Sequence, residues 1–218
     1  MKIALIGATG FVGAPVLSEL LSRGHRVTVL ARNPSKLAAQ SELNPGLTVV
    51  AADVLDATQV AKAVAGHDAV ISAYNPGWSE PKIHDLFLQG SQAILDGVKQ
   101  SGVKRVLVVG GAGSLYVAPG LQLVDTPPFP AEYKQGALAA RELLNRIKLE
   151  NTLEWSFLSP PIGLAPGERT GQYRVGADDL LPGQGDQPAG ISVADLAVAI
   201  VDEMEKAQQV WRRFTVAN

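Results

Sequence analysis

Three glycines spaced three apart, Gly7, Gly10 and Gly13 in GATGFVG, follow the apolar run KIALI and precede a segment in which Val12, Val16, Leu17, Leu20 and Leu21 recur at helical spacing. At a strand-to-helix junction each glycine has a mechanical use. Gly7 permits the tight turn out of the strand, Gly10 lets backbone N–H groups approach a pyrophosphate, and Gly13 lets helix and sheet pack closely. The helix N-terminus adds partial positive charge. Thr9 and the N–H groups of Phe11 and Val12 supply further donors.

A second position completes this chemistry. Arg32 ends the apolar run RVTVLA, 19 residues after Gly13, where dinucleotide folds discriminate between cofactors. An acid there accepts from a ribose 2′-hydroxyl; an arginine pairs with a 2′-phosphate. With Lys36 close behind, the expectation is NADP(H) in preference to NAD(H). Asp53, followed by Val54, closes the run LTVVAA and has two readings. Its carboxylate either accepts from an adenine amino group or serves as an ordinary turn or helix-capping residue.

Such residues need strands to carry them. Strand-like runs recur at KIALIG, RVTVLA, LTVVAA, DAVISA, RVLVVG and WSFLSP, with helical segments between them. That alternation predicts an α/β fold: a Rossmann-like, doubly wound parallel sheet in three layers. The first three strands are expected in the order 3-2-1, the fourth on the other side of the first, and the binding crevice at that switch point. Residues 160–191, rich in glycine and proline, read as a loop-rich substrate-side segment. SVADLAVAIVDEMEKA then reads as a helix N-capped by Ser192, and RFTVA as a final strand. The whole of 1–218 is expected to be one domain.

Composition narrows the functional classes. Charged residues make up only 18%, against roughly 25% in an average globular protein, which fits a sheet covered on both faces. A net charge of −2 creates no basic field, so nucleic acid is not an expected partner. There is no cysteine, hence no disulfide frame or thiolate chemistry, and His25, His67 and His84 lack zinc-like spacing. The first apolar stretch is too short for a signal segment or a membrane span, so the expected setting is the cytoplasm, with no membrane partner.

Together with DAVISAYNP, RVLVVGGAGSL and LSPPIG, these motifs make the chain resemble the atypical short-chain dehydrogenases/reductases. Within that group it is similar to NmrA-like proteins, NADH-flavin reductases and biliverdin reductase B. The resemblance implies that Ala73, Tyr74 and Asn75 line the cofactor. It also implies that Gly111 and Ala112 lie beside the nicotinamide, and that Pro160, Pro161 and Ile162 wall that side. It places Ser114 in the region of the catalytic serine, where it either orients a substrate carbonyl or is a turn residue.

One departure from the family pattern matters. A catalytic tyrosine is ordinarily followed four residues later by a lysine on the same helix face, which lowers the phenol's pKa. Here Tyr133 is followed at that distance by Ala137, and Lys134 lies about 100° around the helix. Tyr133 therefore either donates a proton unaided or packs. His84 and Asp85 read as solvated helix residues, and Trp78 as a residue shaping the pocket.

These observations imply an NAD(P)H-dependent reductase of a small flavin-, quinone- or tetrapyrrole-like acceptor, working as a monomer or homodimer. A non-catalytic NADP(H) sensor acting through a protein partner is the alternative. A nucleotide-sugar epimerase or dehydratase ranks third, because the dyad is missing and only a short segment follows LSPP.

Overall fold

Strand and helix alternate from the start of the chain. β1 (Lys2–Ile6), α1 (Gly13–Ser22), β2 (Arg26–Ala31), α2 (Ala38–Leu43), β3 (Leu47–Ala51), α3 (Ala57–Val64), β4 (Ala69–Ser72), α4 (Ile83–Ser101) and β5 (Arg105–Val109) form the first part. A short hairpin, β6 (Tyr116–Ala118) and β7 (Leu121–Gln122), precedes α5 (Ala131–Ile147) and β8 (Glu154–Leu158). The remainder comprises β9 (Gly163–Ala165), β10 (Arg174–Gly176), β11 (Gly190–Ser192), α6 (Val193–Lys206) and β12 (Arg212–Ala217). This is a computed structural model, and it describes residues 1–183 and 188–218.

The main sheet runs β10-β12-β8-β5-β4-β1-β2-β3, so the expected 3-2-1 order with β4 across from β2 is observed. Its neighbours pair in parallel except at one edge, where β10 runs antiparallel to β12. β4 and β5 are buried at every residue, as expected of strands covered on both faces. On one face Val16, Leu17 and Leu20 of α1 pack with Leu196, Ile200 and Met204 of α6; on the other, α3, α4 and α5 contribute Val60, Ile94, Val98, Leu143 and Ile147. The fold is therefore a doubly wound, Rossmann-like α/β sheet.

The segment expected to be loop-rich holds three short strands. β10 extends the main sheet by pairing Arg174 with Ala217, and β9 pairs in parallel with β11. Three-residue strands are too short to show a period, and their partners lie far along the chain, so composition gave them no signal. Ser192 caps α6 as expected, its Oγ accepting from the Asp195 N–H at 2.9 Å.

Candidate dinucleotide and acceptor site

The loop between β1 and α1 is shaped by contacts that exclude side chains. Gly7 has φ +84°, and a Cβ there would lie 2.3 Å from the carbonyl oxygen of Ala73, where the chain leaves β4. A Cβ on Gly13 would lie 2.0 Å from the Gly7 carbonyl oxygen. These two glycines lock the first helical turn onto the ends of β1 and β4. Gly10 differs: its N–H donates to the Gly7 carbonyl at 2.9 Å, that oxygen is the one atom near a Cβ built there, and its outer side faces solvent with Thr9 and Phe11.

α1 starts without a side-chain cap at Val12 and without an acid in its first turn. Among the described residues, the N–H groups of Phe11, Val12 and Gly13 find no protein acceptor. Orphan donors at a helix end carrying about half a positive charge suit an anion, so this loop fits a pyrophosphate.

Arg32 and Lys36 are exposed beyond the end of β2, and among the described residues neither is hydrogen-bonded or ion-paired. Their backbone is set by Asn33, whose Oδ1 accepts from the Ser35 N–H at 3.1 Å and starts a 3-10 turn over Pro34–Leu37. Asp53 closes a turn, its Oδ1 accepting from Leu55 N–H at 3.0 Å, with Val54 buried beside it. The cap of α3 is Asp56, which accepts from the N–H of Thr58 at 2.8 Å.

Tyr74 turns its ring into α4, where a Cβ at Gly90 would meet it at 2.4 Å, and its hydroxyl donates to the Leu86 carbonyl at 3.1 Å. Burial raises the Tyr74 pKa; the charge of Arg32 opposes that rise and Asp53 adds to it. Arg32, Asp53 and Tyr74 are thus electrostatic neighbours at the ends of β2, β3 and β4. Next along the chain, Asn75 Oδ1 accepts from the Gly77 N–H at 2.7 Å, tightening the loop after β4.

Across the switch point, Gly111 and Ala112 are half-buried after β5, and a Cβ at Gly113 would lie 2.8 Å from the Ala137 side chain. Ser114 is 2% exposed, and its Oγ accepts from Arg213 of β12 at 3.4 Å. Arg213 also donates to Asp178 at 2.6 Å, which ties the serine's turn to the substrate-side segment. Tyr133, in the first turn of α5, is half-exposed and meets Trp78 edge-on with ring centroids 5.1 Å apart. Pro160 and Pro161 are buried after β8, while Ile162 points outward.

Two residues here escaped sequence reasoning: Arg213, hidden in an ordinary strand pattern, and Gly136, against which Trp78 rests. The small-residue run GALAA was the available signal for the second.

A family described as NAD(P)H-binding matches residues 7–205, from the glycine loop through α6. The chain belongs to this NAD(P)H-binding family. It is 37% identical to the uncharacterized protein YwnB of Bacillus subtilis, over all of this chain and 99% of that protein. Among solved structures it is similar to a protein of Bacteroides thetaiotaomicron provisionally named an epimerase. That chain is 43% identical with a TM-score of 0.91, covering 99% of this chain and 96% of the other. It is also similar to a protein of Streptococcus pneumoniae provisionally named an NADH-flavin reductase, 31% identical with a TM-score of 0.83, over all of this chain and 99% of the other.

Among the described residues no group of three or more His, Asp or Glu side chains could hold an ion. His25, His67 and His84 are engaged by Glu205, Thr28 and Asp85 respectively. Among the described residues no helix is long and apolar enough to cross a membrane.

Proposed function

We propose that the chain is an oxidoreductase that prefers NADPH and reduces a flat, conjugated acceptor of the flavin, quinone or tetrapyrrole kind by direct hydride transfer. The observation that carries this is the pairing of an intact dinucleotide cradle with a tyrosine that has Ala137 where a partner lysine would stand. A bound dihydronicotinamide supplies two electrons and a proton as hydride, and water supplies the second proton of the reduced acceptor. The N-terminus of α1 holds the pyrophosphate, Arg32 and Lys36 take the 2′-phosphate, and Pro160, Pro161 and Ile162 wall the nicotinamide. Asp53, at the edge of the same crevice, faces the adenosine end.

A conjugated acceptor spreads its own developing charge, so alignment matters more than a positioned acid, and the missing dyad is tolerable. An epimerase needs that acid–base pair, which weighs against carrying the name of the Bacteroides relative over to this chain. The name of the Streptococcus relative supports the reductase reading. The burial of Ser114 favours a second reading, a sensor that binds NADP(H) without turning it over. Mixing the protein with NADPH and then FMN or menadione decides between them. Steady oxidation of NADPH is the expected result; tight binding with no oxidation would establish the sensor.

A further inference from the structure

The chain has three tryptophans, and their surroundings differ. Trp155 is core, 4% exposed. Trp211 is 60% exposed, but it lies just before β12, on the edge of the sheet away from the cleft, and its indole N–H donates to the Leu153 carbonyl at 2.9 Å. Trp78 is 55% exposed, and its indole N–H has no partner among the described residues. It sits in the loop that leaves β4 beside Gly7, at the switch point of the sheet.

An exposed indole on a loop ordinarily samples several rotamers, yet this one is seated. A Cβ on Gly136 would lie 2.6 Å from Trp78 Cζ3 and 3.1 Å from Ile83 Cδ1, so the ring occupies the notch that the missing side chain leaves in α5. Tyr133 braces it edge-on, the two rings 84° apart. The arrangement leaves indole surface open to water in a fixed orientation. Phe11 and Ile162, 54% and 46% exposed, stand in the loops after β1 and β8 at the same end of the sheet. Large apolar surface held rigid at a cleft mouth is the signature of a stacking platform.

We infer that Trp78, seated on Gly136 and braced by Tyr133, is the acceptor platform, and that it recognises a flat conjugated ring system of isoalloxazine or quinone type by stacking. This rests on the reductase reading and gives its acceptor side a specificity-determining residue. Gly136 is a positioning residue: it acts only through the place it keeps for the indole.

The test uses the full chain saturated with NADP, titrated with FMN and separately with menadione, and followed by tryptophan emission. Saturable quenching is expected in the wild type and in Trp211→Phe, and is expected to fall most in Trp78→Phe. FMN binding, read from flavin fluorescence, should weaken about tenfold in Trp78→Ala, the loss of roughly one aromatic stack. It should weaken less in Trp78→Phe. Gly136→Ala, which keeps the indole but displaces it, should weaken FMN as Trp78→Ala does, with the thermal midpoint and NADP affinity unchanged.

The inference is overturned if the wild type shows no saturable quenching, or if Trp78→Ala and Gly136→Ala bind FMN as the wild type does. It is equally overturned if Trp78→Ala weakens NADP instead of FMN. The two failures are separable. Trp78-dependent FMN binding without NADPH oxidation would remove the reductase reading and leave the platform. Turnover of FMN with an unchanged KM in both variants would do the reverse.

Discussion

Two clusters of charged side chains, one at each edge of the sheet, are held in opposite ways. At the edge where the strands begin, Glu19 accepts from Arg23 and from Arg169, each at 2.7 Å, and Arg23 also reaches Asp202 at 2.7 Å and Glu205 at 2.8 Å. Nearby, buried Glu203 accepts from Arg105 at 2.6 Å, from Ser156 Oγ at 3.0 Å and from the N–H groups of Gln208 and Gln209 at 3.0 Å. At the edge where the strands end, Arg32 and Lys36 stand without partners among the described residues, beside a helix end with unanswered N–H groups. Arginine stands at both edges. Commitment separates them: charges that complete one another hold the fold, and charges left incomplete in a crevice await a ligand.

The contrast breaks first at its strongest point. Glu203→Ala leaves the Arg105 guanidinium buried with its charge partner removed, which should destabilise the chain by about 3–5 kcal/mol in urea unfolding. NADP affinity of the folded protein should not change. A loss below about 1 kcal/mol would show that the network holds little.

At the opposite edge Gly10→Asp places a carboxylate on the open side of the loop, against an incoming pyrophosphate. NADP binding should fall by roughly a hundredfold, about 2.7 kcal/mol, while unfolding stability stays near wild type. Unchanged affinity in calorimetry would remove the loop from the cofactor site.

Acid sharpens the comparison with a smaller effect. Burial opposes ionisation of Asp202, but hydrogen bonds from Lys206, Arg23 and Tyr173 outweigh it and hold its pKa at about 2. A carboxylate whose pKa is lowered by folding contributes stability that is complete above its ordinary value near 4 and is lost as pH falls through its folded value. Between pH 5 and pH 2 the chain should therefore lose roughly 1–2 kcal/mol through this residue, after allowing for its partial exposure. Asp202→Asn should flatten that slope in urea titrations at the two pH values; an unaltered slope would contradict the assignment.

What could be read from the residues alone follows the range of the forces involved. The glycine loop and the strand order were legible because turn chemistry and apolar periodicity are local. So was the position of Arg32, two residues before a 3-10 turn that Asn33 caps. Asp53 shows the limit at short range: two aspartates three apart both suit a cap, and only the backbone assigns the helix to Asp56 and the turn to Asp53. The clasp of Arg169 on Glu19 spans 150 residues, and Ser114 meets Arg213 across 99, so no window of sequence contains either pair. Gly90 and Gly136 each make room for an aromatic ring from the loop after β4, which a reading of either helix by itself does not reveal.

Calorimetric titration of the wild type and Arg32→Ala with NADP and with NAD is the most direct test of whether the uncommitted edge is a dinucleotide site with a 2′-phosphate pocket. A charge-assisted contact is worth roughly 1.5–3 kcal/mol, so Arg32→Ala should weaken NADP by about 10- to 150-fold and leave NAD nearly unchanged. Lys36 shares the field, so removing both side chains should weaken NADP further. Raising the salt concentration should weaken NADP more than NAD, because the added attraction lies near solvent. Equal wild-type affinity for both dinucleotides, or equal loss of both in Arg32→Ala, would contradict the assignment and make Arg32 a surface charge.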